Sequence, residues 1–260
     1  MENLVLYCKT FHRDIELVKR LVDSINQFNV DAIKTYISVP KRDLKLFLAA
    51  NLENVNLIED ELVYEGHVKG WLQQQIVKSS FYKLNIATNW VCIDSDAFFI
   101  KPFYISDFIY KDDIPYTIIH EQKELFSWTA NNFNLLGFDP KESFTEDRKK
   151  IMNVFERNGR IYDFGPAPTI WSSKVWLDLE NQYMIPNNLT LQQLIEYCPS
   201  EFTWYGETLL RFNTIPLYPA EPLFKVFHYK QQIDEFSRLN LSVEALSKNY
   251  LGIILQSNIS

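Results

Sequence analysis

The chain has 260 residues, 47% of them hydrophobic and 15% aromatic, and a net charge of −7. That is enough apolar material for one large domain or two small ones, and it excludes a disordered chain. No block of like charge stands out, which excludes a nucleic-acid binder that relies on a basic surface and leaves an anionic ligand dependent on a metal or a few placed cations.

Residues 3–8, NLVLYC, read as a buried strand. DIELVKRLVDSINQF follows, with Ile15, Val18, Leu21, Val22, Ile25 and Phe28 at helical spacing. AIKTYISV alternates as a strand, KRDLKLFLAAN is a short helix after Pro40, and NVNLIED is another strand. GWLQQQIVKSSFYKLNI reads as a helix and NWVCIDSD as a strand ending on two aspartates. This alternation predicts an α/β fold with a mostly parallel central sheet flanked by helices. Ligands of such sheets bind beyond the carboxyl ends of the strands. Here those ends are Lys9 to Asp14, Glu59 to Gly70 and Asp94 to Asp96.

After Pro102 the pattern loosens. IPYTIIH looks like a strand, TEDRKKIMNVFERNG like a helix with an acidic start and Gly159 near its end, and LTLQQLIEYC like another helix. SEFTWYGETLLRF offers Ser200 as an N-cap, and LFKVFHY reads as a strand. From Ser242 the chain carries Val243, Leu246, Tyr250, Ile253 and Ile254 at helical spacing. The expected organisation is one domain over residues 1–235 and a helical tail over 236–260, docked on the domain or meeting a partner or a membrane surface.

The three cysteines, Cys8, Cys92 and Cys198, are odd in number and far apart, which predicts buried thiols in a reducing compartment. The segment MENLVLYCKTFHRD has an acidic second residue and too short an apolar run for a signal peptide, and no stretch approaches the roughly 18 apolar residues of a membrane span. The expected location is the cytoplasm, with contact at the inner face of the cell membrane as an addition.

Asp94 and Asp96 stand one residue apart between WVCI and AFFI. In an extended segment alternate residues point the same way, so both carboxylates face one pocket with Ser95 turned away. Two desolvated carboxylates repel unless something positive lies between them. Oxygen-only ligation suits Mg²⁺ or Mn²⁺, and a cation there can neutralise a diphosphate leaving group. The alternatives are an ordinary solvated turn and an aspartyl-phosphate phosphatase; the latter wants the pair after the first strand and Thr or Val where Phe98 stands.

Other residues extend this site. Trp71, Gln74, Gln75, Lys78 and Tyr82 share one side of their helix, opposite Leu72, Ile76, Val77, Phe81 and Leu84, and read either as a cleft wall or as an ordinary amphipathic face. Gly70 just before them allows close backbone approach. His228, on one strand face with Val226 and Lys230, is placed to complete the shell begun by Asp96, with Lys230 reaching phosphate.

The late-strand D-x-D, the upstream GWLQQQIVK, the SEFTWYGE segment and the late FHY together resemble a family of bacterial GT-A glycosyltransferases of capsule, lipopolysaccharide and other surface glycans, over residues 3–232. The resemblance implies a GT-A-like nucleotide-diphospho-sugar transferase fold, a nucleotide-sugar donor, usually a UDP-sugar, Mn²⁺ or Mg²⁺, and a glycan or lipid-linked acceptor. It implies that Tyr7, Thr10 and Asp14 touch the nucleoside. Asp94 faces the ribose or sugar, Asp96 and His228 ligate the metal, and Gln74, Gln75 and Lys78 line the donor pocket. Glu201, Tyr205 and Gly206 match the acceptor-side S-E-x-x-x-Y-G segment.

Inverting transfer needs a carboxylate to take the acceptor proton. Glu201 is the expected base and Glu207 the reserve; each is equally a helix-start carboxylate favoured by the macrodipole. FGPAPTIWSSKVW (residues 164–176) reads as an acceptor loop in which Trp171 stacks on a sugar, or as a rigid loop with a core Trp. The alternative in another class is a catalytically silent carbohydrate- or nucleotide-sugar-binding protein on the same fold.

Overall fold

The computed structural model describes residues 1–68 and 70–256. The first half contains β1 (Glu2–Lys9), α1 (Ile15–Phe28), β2 (Thr35–Val39), α2 (Leu44–Ala49), β3 (Val55–Glu59), α3 (Asp60–Val63), α4 (Trp71–Ser80), β4 (Ala87–Ile93) and β5 (Ala97–Phe99). Short strands β6 (Ile109–Lys111), β7 (Ile114–Pro115) and β8 (Thr117–Ile118) lead to helices α5 (Lys123–Asn131), α6 (Phe133–Leu136) and α7 (Pro140–Val154). Then come β9 (Thr169–Ser172), α8 (Ser173–Asp178), α9 (Leu191–Tyr197), α10 (Glu201–Phe212), β10 (Pro219–Ala220), β11 (Phe224–Phe227), α11 (Lys230–Arg238), α12 (Val243–Ser247) and β12 (Gly252–Leu255).

The central sheet has the order β3-β2-β1-β4-β9, parallel except for the last pair. Its inner strands carry buried apolar runs, LVLYC in β1 and WVCI in β4, because both faces are covered there. Leu4, Leu6 and Cys8 of β1 enter one core with Val91 and Ile93 of β4; Val5 and Tyr7 enter the other with Trp90 and Cys92. The 3.6-residue spacing of α1 lays Val18, Leu21, Val22 and Ile25 on the first face. The second face carries α4, α8, α9 and α10, through Ile76, Trp176, Leu194 and Trp204. Each such aliphatic side chain contributes about 1.5–3 kcal/mol when fully buried.

Local sequence explains the helix starts. Thr190 and Gln193 form a reciprocal capping box on α9, and Asp139 accepts from the Lys141 amide at 2.9 Å to open α7, with Pro140 as first residue. Thus α7 begins before TEDRKK and ends at Val154, short of Gly159.

The structure corrects the tail. Lys230–Arg238 and Val243–Ser247 are helical, but Ile253 and Ile254 lie in β12. That strand pairs parallel with β11 and antiparallel with β5, in the order β11-β12-β5. Gly252 permits this: a Cβ there would meet the Phe224 ring at 2.2 Å and the Phe98 carbonyl oxygen at 2.5 Å. The last residues of the expected tail, 257–260, lie outside the described residues. No helix among the described residues is long and apolar enough to cross a membrane. All three cysteines are buried and free.

Candidate functional site

β4 ends at Ile93, and Asp94–Ser95–Asp96 form a tight turn into β5, closed by the Ala97 amide donating to the Asp94 carbonyl oxygen at 3.1 Å. The backbone is therefore not extended here, and strand alternation does not orient the two carboxylates. Lys78 of α4 donates to Asp94 Oδ1, and its Nζ stands 3.6 Å from Glu201 Oε1 at the start of α10. Ser95, expected to turn away, donates from Oγ to Asp14 Oδ2 at 3.1 Å. Asp96 is 8% exposed, and its carbonyl oxygen accepts from Arg20 at 3.3 Å and from the Leu255 amide at 3.2 Å.

This site sits at the carboxyl ends of β1, β3 and β4, where the topology predicts it. Lys9 at the end of β1 pairs with Asp60, just after β3, at 2.9 Å and donates to the Thr10 carbonyl oxygen at 2.5 Å. Burial pushes the Asp14 and Asp60 carboxyls up; Ser95 and Lys9 pull Asp14 back, and Lys9 pulls Asp60 back. Burial alone would push the Lys78 ammonium down, but Asp94 and Glu201 outweigh it and hold it above the ordinary lysine range. Burial raises the Glu201 carboxyl, opposed by Lys78. The trio is thus a buried cation shared by two carboxylates.

The other expected residues fall into two groups. Gln75 is wholly buried; its Oε1 accepts from the Glu201 amide at 3.3 Å, and its Nε2 has no partner among the described residues. Thr10 is buried at the strand end, Gln74 is half-buried, and Trp71 is 61% exposed. Gly70 has φ +64, a backbone conformation that favours glycine, with nothing within 4 Å of an added Cβ.

The second group is turned away from the turn. Tyr7 is wholly buried, stacked on Phe81 at 4.0 Å and hydrogen-bonded to Ser38 at 2.8 Å, so no nucleoside reaches it. Tyr82 donates to Glu180 at 2.9 Å. Lys230 opens α11, exposed and off the β11 face. Trp171 belongs to β9, wholly buried against Trp90 and Trp176, and cannot stack on a sugar. Tyr205 is buried with its hydroxyl accepting from the Ser172 amide at 2.9 Å, and a Cβ on Gly206 would meet the Phe164 ring at 2.0 Å. Glu207 is wholly buried in a two-point ion pair with Arg157. These four hold the core of the acceptor-side segment together.

His228 follows β11, two strands away from the Asp94–Asp96 turn that precedes β5. Across the β11-β12-β5 sheet, Phe227 pairs with Leu255 and Ile254 with Ala97, which sets His228 and Asp96 about 10 Å apart at the backbone, two strand spacings. Among the described residues no three His, Cys, Asp or Glu side chains converge as a metal cluster. His228 instead lines a cavity of about 490 Å³ with His120, Tyr162, Phe224 and Tyr250.

Residues 3–231 match DUF6492, described as a family of unknown function. The chain belongs to that family. No curated protein matches this DUF6492 chain. Among solved structures, mouse xyloside xylosyltransferase 1 in its apo form superposes with a TM-score of 0.52 at 7% identity, covering 99% of each chain. At that identity the likeness speaks for the fold, and it is the GT-A-like fold of a glycosyltransferase, with the mostly parallel sheet flanked by helices.

Lys9, Asp60 and Ser95 also join this cluster of strand-end side chains, and the sequence did not single them out as site residues. Lys9 and Asp60 were within the flagged strand ends, and a lysine closing an apolar strand opposite an aspartate closing another was the available signal.

Proposed function

We propose that this protein is a glycosyltransferase that takes a sugar from a nucleotide diphosphate donor. The observation that carries the reading is the Asp94–Ser95–Asp96 turn, set at the strand ends of a GT-A-like sheet and tied to Asp14, Lys78 and Glu201. Asp14 and Gln74, both half-buried, are the expected donor-side residues a nucleotide would meet, while Thr10 and Gln75 are buried. A UDP-sugar donor and a glycan or lipid-linked acceptor in surface-polysaccharide synthesis are the finer form of the proposal, drawn from the motif resemblance.

A divalent cation belongs to this reading. Mg²⁺ or Mn²⁺ needs only one or two protein carboxylates when phosphate oxygens supply the rest. Asp94 and Asp96 are such a donor set, with Lys78 engaging Asp94 through Oδ1. These two residues would hold the ion, and bound there it would neutralise charge on the departing diphosphate. We assign Glu201 to keep Lys78 on Asp94 rather than to act as a free base, because its carboxylate is buried and shares that ammonium.

The same clamp on Asp94 favours one second reading, a silent nucleotide-sugar-binding protein. A donor panel separates the two. Purified protein with Mn²⁺ and UDP-sugars, with and without simple glycoside acceptors, should release UDP. Metal-dependent binding without any release across the panel leaves the silent protein; neither binding nor release removes both.

A further inference from the structure

We infer that the cavity behind His228 is a binding site for a neutral sugar residue. It deepens the proposed function by giving the class of acceptor, and it rests on that reading only for the word acceptor.

At about 490 Å³ the cavity falls within the roughly 300–1,000 Å³ of small-ligand sites. Its walls combine the rings of Tyr162 and Tyr250 with the polar tips of His120, His228 and Gln232, and the buried Phe224 lies beneath. Ring faces cover the C–H surface of a pyranose while imidazole and amide groups meet its hydroxyls. The polar groups are held in place. His120 Nε2 stands 2.6 Å from the Gly165 carbonyl oxygen, and as donor there it leaves Nδ1 to accept. Gln232 Oε1 caps α11 by accepting from the His228 and Tyr229 amides at 2.7 and 3.1 Å, which leaves its NH₂ to donate. The ring nitrogens of His228 make no hydrogen bond to another described residue, and burial pushes its pKa down to about 4. It therefore presents a neutral ring with one donor and one acceptor, the pairing a hydroxyl needs.

Charge decides the class. Glu121 is matched by Arg160 at 2.9 Å and Lys123 at 3.1 Å, Glu124 by Lys225, and Asp163 by Arg148 at 2.6 Å. The lining cations Lys123 and Lys225 are thus already engaged by carboxylates, and lining Glu221 adds negative charge. Nothing here favours a phosphate or a uronate. Position supports the role: the cavity abuts β11, whose carboxyl end lies about 10 Å from the aspartate turn across two strand spacings.

The test is saturation-transfer difference NMR and calorimetry on the intact protein without nucleotide or metal. The probes are methyl glycosides of glucose, galactose, N-acetylglucosamine and xylose, with methyl galacturonate and glucose 1-phosphate as anionic counterparts. At least one neutral glycoside should bind, and bind tenfold or more tighter than either anion. Tyr250→Ala and, on the more open loop wall, Tyr162→Ala should each weaken it at least tenfold while thermal unfolding stays cooperative. No neutral glycoside binding at tens of millimolar, equal binding of the anions, or indifference to both tyrosine variants overturns the site. Failure of nucleotide binding alone overturns the transferase reading and not this one.

Discussion

Replacing Lys78 by methionine removes the cation that Asp94 and Glu201 share. Lys78 and Glu201 side chains are 4% and 5% exposed, and Asp94 is 29% exposed. Methionine keeps most of the volume, so the loss is electrostatic. Breaking a buried pair by removing one partner costs about 3–5 kcal/mol, because a charge is left uncompensated or must take up a proton. At roughly 2–4 °C per kcal/mol for a domain near this size, the midpoint should fall by about 6–20 °C. Urea unfolding followed by tryptophan fluorescence gives the free energy directly. Adding Glu201→Gln should recover roughly half, since the remaining carboxylate of Asp94 still reaches water. A loss under about 1 kcal/mol in Lys78→Met, or no recovery in the double variant, would refute the shared-cation account.

Three further outcomes follow from the geometry. Burial holds His228 neutral down to about pH 4 in the fold, whereas the unfolded chain takes a proton below the ordinary 6.5. The stability that neutrality contributes is therefore present above pH 6.5 and lost as pH falls towards 4. Wild type should lose up to about 3 kcal/mol over that window, and His228→Gln should not, by urea titration at each pH. Glu207→Gln leaves the Arg157 guanidinium without its carboxylate and should cost about 3 kcal/mol by the same titration, with the calorimetric affinity for UDP unchanged. Gly206→Ala drives a methyl into the Phe164 ring and should lower stability by about 1–3 kcal/mol in thermal unfolding.

Much of the scaffold was legible in the sequence. β1 and β4 are continuous apolar runs because both faces of the sheet are covered, and α1 shows its 3.6-residue stripe because only one of its faces is. β9 was not legible: four residues after two prolines carry no period, and only pairing with β4 makes them a strand. β12 hid in the same way, since Ile253 and Ile254 fit a helical stripe that a two-sided sheet contact overrides. At the site, the pattern located Asp94 and Asp96 but treated them as extended; the turn that closes on Ala97 is a local hydrogen bond with no marker in composition. Tyr7 and Trp171 looked like ligand-facing rings because aromatics serve cores and sites alike, and burial alone separates the two.

The central claim is that the aspartate turn, with a divalent cation, holds a nucleoside diphosphate. The direct measurement is the thermal midpoint of wild type and Asp96→Ala with UDP, each with and without Mn²⁺. A ligand that binds only the folded state at a hundredfold excess over its Kd stabilises by about 2.7 kcal/mol. The account predicts a rise in the wild type that requires both UDP and Mn²⁺ and disappears in Asp96→Ala. A midpoint that UDP and Mn²⁺ leave unmoved at millimolar concentrations, or a rise that Asp96→Ala retains in full, would contradict it.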